Sequence, residues 1–185
     1  MSNAKSSLKI AIAGLGVVGA EVARQVINRG DELGLAAGAP IQVVAVSARD
    51  QSLDRCVNLN GIDWYDEAPK LAERDDVDVV VEMIGGSEGV ALDLARAALR
   101  SSKHLITANK AMIAHHGAEL AQLAETNNVH LLFESAVAGG IPAVKTLREG
   151  LAGNKITRVA GILNGTCNYI LSTMEKTGRN FEAVL

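Results

Sequence analysis

Aromatic residues are scarce in this chain: one Trp, two Tyr and two Phe make up 3% of 185 residues. A core built on rings is therefore excluded. It must be made of Ala, Val, Leu and Ile, the composition of buried parallel strands packed against helices. Cysteine is nearly absent as well. Cys56 and Cys167 stand far apart with no metal-ligand spacing, which argues against a disulfide framework and fits a reducing compartment, expected to be the cytoplasm. Excess positive charge is missing: the net charge is -3, with no Lys/Arg cluster, so neither nucleic acid nor an anionic membrane surface finds an electrostatic foothold. No apolar run approaches the roughly 18 residues of a membrane-crossing helix. Lys5 and Lys9 before Ile10–Ala20 imitate a secretory signal, but glycines interrupt that stretch at meaningful spacing. There is no repeat, no low-complexity linker and no Ser-His-Asp or Cys-His constellation. His115 and His116 lack Cys, Asp or Glu at ligand spacing and read as helix-surface residues.

What is present is globular: 48% hydrophobic and 21% charged residues. Leu8–Ala13 is a short strand ending in glycine, and Val17–Ile27 carries apolar residues at helical period. Gly30 to Pro40 reads as a frayed helix end and loop, Ile41–Val46 as an apolar strand, and Gln51 to Pro69 as irregular. Further strands are expected at Asp78–Met83, Leu105–Thr107 and Val129–Phe133, with helices at Val90–Leu99 and Ala111–Thr126. This alternation predicts an α/β, doubly wound parallel sheet with helices on both faces. After Glu134 the pattern changes. Ile141–Leu151 reads as a helix, Lys155–Leu163 as a strand, and Asn164-Gly165-Thr166 opens a helix through Met174. The division predicted is a dinucleotide-binding domain over 1–134 and the start of an α+β catalytic and dimerisation domain over 135–185. Asn180–Leu185 resembles the opening turns of another helix, so a fragment of a longer protein is expected.

Gly14-Leu15-Gly16-Val17-Val18-Gly19 is a G-x-G-x-x-G pattern directly after a strand and directly before a helix, the context in which it binds a dinucleotide. Gly14 allows the tight turn, Gly16 lets backbone approach the pyrophosphate, and Gly19 lets helix and strand pack closely. The free N–H groups of Val17, Val18 and their neighbours then face the phosphates. At the end of the second strand stands Ser47-Ala48-Arg49-Asp50. Ser47 and Arg49 can hold a 2′-phosphate, which favours NADP, whereas Asp50 could take the ribose hydroxyl and keeps NAD open. Arg49 reads nearly as well as a solvated loop charge.

Lys110 follows a plausible cap, Asn109, and sits in the first turn of a helix, where its charge opposes the macrodipole. An anionic ligand would offset that cost, and a lysine reaching to water is an equal alternative. Glu134 ends an apolar strand before the side-chain-poor run Ser135–Gly140. It reads as a cation ligand or, as readily, as a cap of the following turn or a partner for a lysine. Asn164, Gly165 and Thr166 form a second glycine turn, with Thr166 or Asn164 as cap, whose amides could hold a carboxylate.

Several segments taken together resemble the homoserine dehydrogenase family. They are Ala11–Gly19, Val43–Val46 with Arg49-Asp50, Val80-Val81-Glu82-Met83-Ile84-Gly85-Gly86, Thr107-Ala108-Asn109-Lys110-Ala111, Phe133–Pro142 and Gly161–Thr166, in order over nearly the whole chain. Cys167 stands where such proteins usually carry threonine. The resemblance implies reversible NAD(P)H-dependent reduction of L-aspartate 4-semialdehyde to L-homoserine, in amino-acid biosynthesis, by a homodimer. It implies that Gly14–Gly19, Ile84, Gly85 and Gly86 meet the cofactor, and that Lys110 contacts cofactor and substrate as the catalytic lysine of this stretch. Glu134, Val137, Gly139 and Ile141 would form a monovalent-cation site, such as one for sodium, the last three through carbonyls. Asn164, Gly165 and Thr166 would line the substrate. The family's proton-transfer lysine is expected beyond Leu185, so this stretch is expected to bind cofactor yet turn over poorly. Two alternatives remain: a related amino-acid dehydrogenase, such as an aspartate dehydrogenase, and a non-catalytic cofactor-binding module.

Overall fold

The structure, a computed structural model, describes residues 7–161 and 164–185. The chain divides into two compact units, Met1–Val144 and Lys145–Leu185.

In the first unit, six parallel strands, β1 (Leu8–Ala13), β2 (Ile41–Ser47), β3 (Asp63–Tyr65), β4 (Val79–Glu82), β5 (His104–Thr107) and β6 (Leu131–Leu132), lie in the order β3-β2-β1-β4-β5-β6. That is the strand order of the doubly wound dinucleotide-binding fold, with its switch point between β1 and β4. Alternation along the strands splits the core. Ile10, Ile12, Val46, Val79 and Val81 face the helix α1 (Val17–Ala37) and pack with its Ala23. Ala11, Ala13, Ala45, Val80 and Leu105 face the opposite way, onto α2 (Val90–Arg100), α3 (Lys110–Thr126) and the 3-10 turn Ala68–Glu73. Aliphatic side chains fill most of both layers, with Tyr65 and Phe133 packed at the margin of one and Trp64 at that of the other.

Three local readings are revised. The helix expected to fray after Ile27 continues to Ala37, with a single kink at Arg29, and ends at Gly38 in the left-handed conformation. Arg29 bonds to Glu32 and Gln25, and Gly30 and Gly34 let the helix lie close to Pro40 and Ile41. The stretch read as irregular between Gln51 and Pro69 contains β3, which pairs with β2 through Ala45, Val46 and Ser47. Beyond the short helix α4 (Glu134–Val137), the continuous helix expected over Ile141–Leu151 gives way to α5 (Ala143–Lys145) and a π-turn, Thr146–Gly150.

In the second unit the expected strand Lys155–Leu163 is not formed over residues 155–161, which are exposed and pair with no strand among the described residues; Ile162 and Leu163 lie outside them. A strand is stable only where an edge accepts its ladder. Helices α6 (Gly165–Thr177) and α7 (Phe181–Val184) complete the chain. No helix among the described residues is long and apolar enough to cross a membrane.

Candidate functional site

Strand register builds the site. Ala13 pairs with Ser47 on one side and Glu82 on the other, and Glu82 pairs with Thr107. Ser47, Ala13, Glu82 and Thr107 thus form one row at the carboxyl edge of the sheet, from which four chain segments depart. A cleft of about 750 Å³ opens there, lined by Gly14, Leu15, Gly16, Ser47, Arg49 and Ile84. These predicted positions come from three separate segments and meet in one place.

The three glycines of the turn serve different purposes. Gly14 has φ +91, and a Cβ there would stand 2.6 Å from the Met83 carbonyl group. A Cβ on Gly19 would stand 1.8 Å from the Gly14 carbonyl oxygen. A Cβ on Gly16 would meet nothing within 4 Å. The fold therefore demands Gly14 and Gly19, whereas Gly16 keeps open the space in front of α1. That helix begins without a side-chain cap and without an acidic residue in its first turn. By contrast, α3 and α6 are capped by Asn109 and Asn164. Uncapped amides beside a cleft suit an anionic group. Val17 and Val18 are 92% and 59% exposed at this entrance and do not line the cleft.

On the β2 side, Ser47 is buried and its carbonyl accepts the Gly14 amide at 2.8 Å. Arg49 is exposed and makes no hydrogen bond or ion pair among the described residues. Asp50 is already engaged. Its Oδ1 accepts both the hydroxyl (2.6 Å) and the amide (2.9 Å) of Ser52, which hold the carboxyl below its ordinary range. The loop also brings in Arg55, whose guanidinium donates to the carbonyls of Leu15 (3.1 Å), Leu53 (2.8 Å) and Asp50 and lies over the Trp64 ring. No spacing in the sequence marks Arg55, since its partners are backbone oxygens gathered by the fold.

On the β4 side, Ile84 lines the cleft, but Gly85, Gly86 and Lys110 do not. Glu82 is fully buried, and its Oε1 accepts the amides of Ile84 (2.7 Å) and Gly85 (3.0 Å). Its Oε2 accepts the Thr107 hydroxyl, and Thr107 Oγ1 accepts the Asn109 amide at 3.0 Å. Asn109 Nδ2 donates to the Gly86 carbonyl at 2.6 Å, and its Oδ1 caps α3 through the Met112 amide. Lys110, exposed, is the first residue of that helix. The sequence signals for Glu82 were a carboxylate at the end of an otherwise apolar strand and its place in the Val80–Gly86 segment, neither of which gave it a role.

The remaining predicted residues lie elsewhere. Glu134, Val137, Gly139 and Ile141 fall in one short stretch. Glu134 Oε1 accepts the Val144 amide, and the Ile141 carbonyl accepts the Ala143 amide. These donors are hard oxygens of the kind alkali cations take. No group of three or more His, Cys, Asp or Glu among the described residues could hold a metal ion. Asn164, Gly165 and Thr166 belong to the second unit, where the Asn164 side chain, rather than Thr166, caps α6 through the Cys167 amide at 2.9 Å.

Comparison with known proteins agrees with this geometry. Residues 14–134 match the model for the homoserine dehydrogenase NAD-binding domain, and residues 142–185 match the model for homoserine dehydrogenase. Among curated proteins, the homoserine dehydrogenase of Corynebacterium glutamicum is 46% identical over 95% of this chain and 39% of its own length. That of Mycobacterium leprae is 41% identical over 100% of this chain and 41% of its own. A solved homoserine dehydrogenase from Thiobacillus denitrificans superposes with a TM-score of 0.85 at 37% identity, over 97% of this chain and 41% of that one. The chain thus spans about two fifths of the length of the curated relatives it matches.

Proposed function

The chain belongs to the homoserine dehydrogenase family, and from that membership we propose that it forms the cofactor-binding part, and the beginning of the catalytic part, of an enzyme that reversibly reduces L-aspartate 4-semialdehyde to L-homoserine. The observation that carries this reading is the uncapped start of α1 beside Gly16, opening onto the cleft at the switch point. A nicotinamide cofactor bound there supplies or accepts the hydride. The amides after Gly14 would receive its pyrophosphate. The unpaired Arg49 and the buried Ser47 favour NADP, because Asp50, although it lines the same cleft, already has its Oδ1 bound to Ser52. Ile84, Gly85 and Gly86 would flank the nicotinamide end. Lys110 would lend positive charge to substrate and cofactor there.

The boundary between the two parts is proposed at 134/135. Asn164, Gly165 and Thr166 are proposed to line the substrate, and Glu134, Val137, Gly139 and Ile141 to hold a monovalent cation. A homodimer in the cytoplasm is the expected setting. The test is fluorescence titration with NADPH and NADH. Both should bind, and Arg49→Asp should weaken NADPH by about tenfold more than NADH, the worth of one charged contact. Equal losses would refute the phosphate assignment, and binding of neither cofactor would refute the site.

A further inference from the structure

A fully buried carboxylate needs a reason. Position 82 faces the layer shared by α2 and α3, where Val80 and Leu105 are its neighbours. An apolar side chain would serve that layer at least as well, because burying an ion is costly and its replacement by an apolar group is often neutral or stabilising. Glu82 instead sits at the meeting of two chain exits. The exit of β4 is the Ile84–Gly86 turn, and the exit of β5 is Ala108-Asn109 leading into Lys110. The main-chain link between them is a long one, from the Ala108 amide to the Glu82 carbonyl at 3.5 Å. Side chains make the firm connection.

The hydrogen bonds close a ring in which Glu82 only accepts and Asn109 donates to both neighbours. The Ile84 and Gly85 amides donate to Glu82 Oε1, and the Thr107 hydroxyl donates to Oε2. Thr107 Oγ1 accepts from the Asn109 amide, and Asn109 Nδ2 returns to the Gly86 carbonyl. Three donors converge on one side chain, which an acceptor-only carboxylate satisfies and a carboxamide does not. Thr107 must donate and accept at once, which a hydroxyl does and a methyl cannot. Asn109 also caps α3, so the direction in which that helix starts, and hence the Lys110 backbone, is set by the same ring.

We propose that Glu82 is a positioning residue: acting through Thr107 and Asn109, it ties the Ile84–Gly86 turn, whose Ile84 lines the cofactor crevice, to the first turn of the Lys110 helix as one preformed unit. The proposal rests on the reading of that crevice as a nicotinamide-cofactor site. Its energetic meaning is preorganisation, since a turn already ordered costs the ligand nothing to order.

The test uses the chain with Glu82→Met, Thr107→Val, the double variant and Thr107→Ser. Three quantities are measured: NADPH affinity by fluorescence titration, amide hydrogen exchange at Ile84, Gly85 and Asn109 without cofactor, and melting temperature. Glu82→Met and Thr107→Val should each weaken NADPH by about tenfold, and the double variant by about the same factor rather than a hundredfold, because both break one ring. Thr107→Ser should restore parental affinity. Exchange at Ile84 and Gly85 should accelerate in Glu82→Met, and at Asn109 in Thr107→Val. Parental affinity in both single variants, or multiplicative losses in the double, would overturn the proposal. So would faster exchange or a lower melting temperature with affinity unchanged, which is the signature of a purely structural link. Failure of the parent chain to bind either cofactor would instead remove the site reading, and the exchange data would still decide whether Glu82 joins the two turns. If Glu82→Met does not fold, the Thr107 pair carries the same comparison.

Discussion

Gly16 and Gly19, three residues apart, answer to different demands. A methyl on Gly19 would stand 1.8 Å from the Gly14 carbonyl oxygen, which is backbone held in place by the Gly14 amide's bond to Ser47. Gly19→Ala should cost about 3 kcal/mol, a fall of roughly 6–12 °C in melting temperature for a chain of this size. A methyl on Gly16 points into open space, so Gly16→Ala should cost only about 0.5–1 kcal/mol in stability, the difference between glycine and alanine at a helix N-cap. It should nevertheless weaken NADPH by about tenfold or more, since it occupies the path of the pyrophosphate. Thermal melts and titrations of the pair check this. A large stability loss at Gly16 would mean that it serves the fold. Arg55 acts at the same scale from the other side of the cleft, tying the loop to the glycine turn through three carbonyls. Arg55→Ala should weaken NADPH by about tenfold by freeing that loop. Arg55→Lys should not rescue it, because one ammonium cannot reproduce a planar fork spanning three acceptors. Full rescue by lysine would show that charge alone matters.

Among the elements, β3 depends on side chains outside it. It is three residues long and sits at the sheet edge, and Arg74 clasps it. Arg74 bonds to Asp63 at the start of β3, to the Tyr65 hydroxyl at 3.1 Å, and to both oxygens of Asp76 at 2.9 Å before β4. The hydrogen bonds from Arg74 hold Asp76 below the ordinary carboxylate range. A carboxylate lowered in the folded state stabilises fully above its ordinary range, and that stability is lost as pH falls through the depressed value. Arg74→Ala should therefore cost roughly 1–2 kcal/mol at neutral pH, discounted for the exposure of Asp63. It should also flatten the loss of stability on acidification. Urea midpoints of parent and variant at neutral pH and near about pH 3 measure both effects; parallel acid profiles would show that Asp76 gains nothing from Arg74.

At the scale of the whole molecule, the two units differ in how much they bury. The first has aliphatic layers on both faces of its sheet, while Ile170 is the one buried residue among those described in Lys145–Leu185. In this chain, amides of α6 should exchange at least about a hundredfold faster than those of β1 and β4, because local opening there exposes little apolar surface. Saturating NADPH should slow exchange around β1, β2 and β4. Equal protection in α6 would contradict the first expectation. Much of this architecture was readable beforehand. The runs at Leu8–Ala13 and Ile41–Val46, the helical period after Gly16 and the Asn109 cap are local patterns, and local patterns report which face of a segment is buried and where its ends lie. They led directly to the glycine turn and to Lys110 at a helix start. Partner and register are another matter, since they depend on hydrogen bonds between residues far apart in the chain. Only the tertiary structure set β1 beside β4, made a strand of Asp63–Tyr65, and brought Arg55 back to Leu15 across 40 residues. Only pairing in the sheet placed Glu82 opposite Thr107, where its carboxylate joins the turn after β4 to the one after β5.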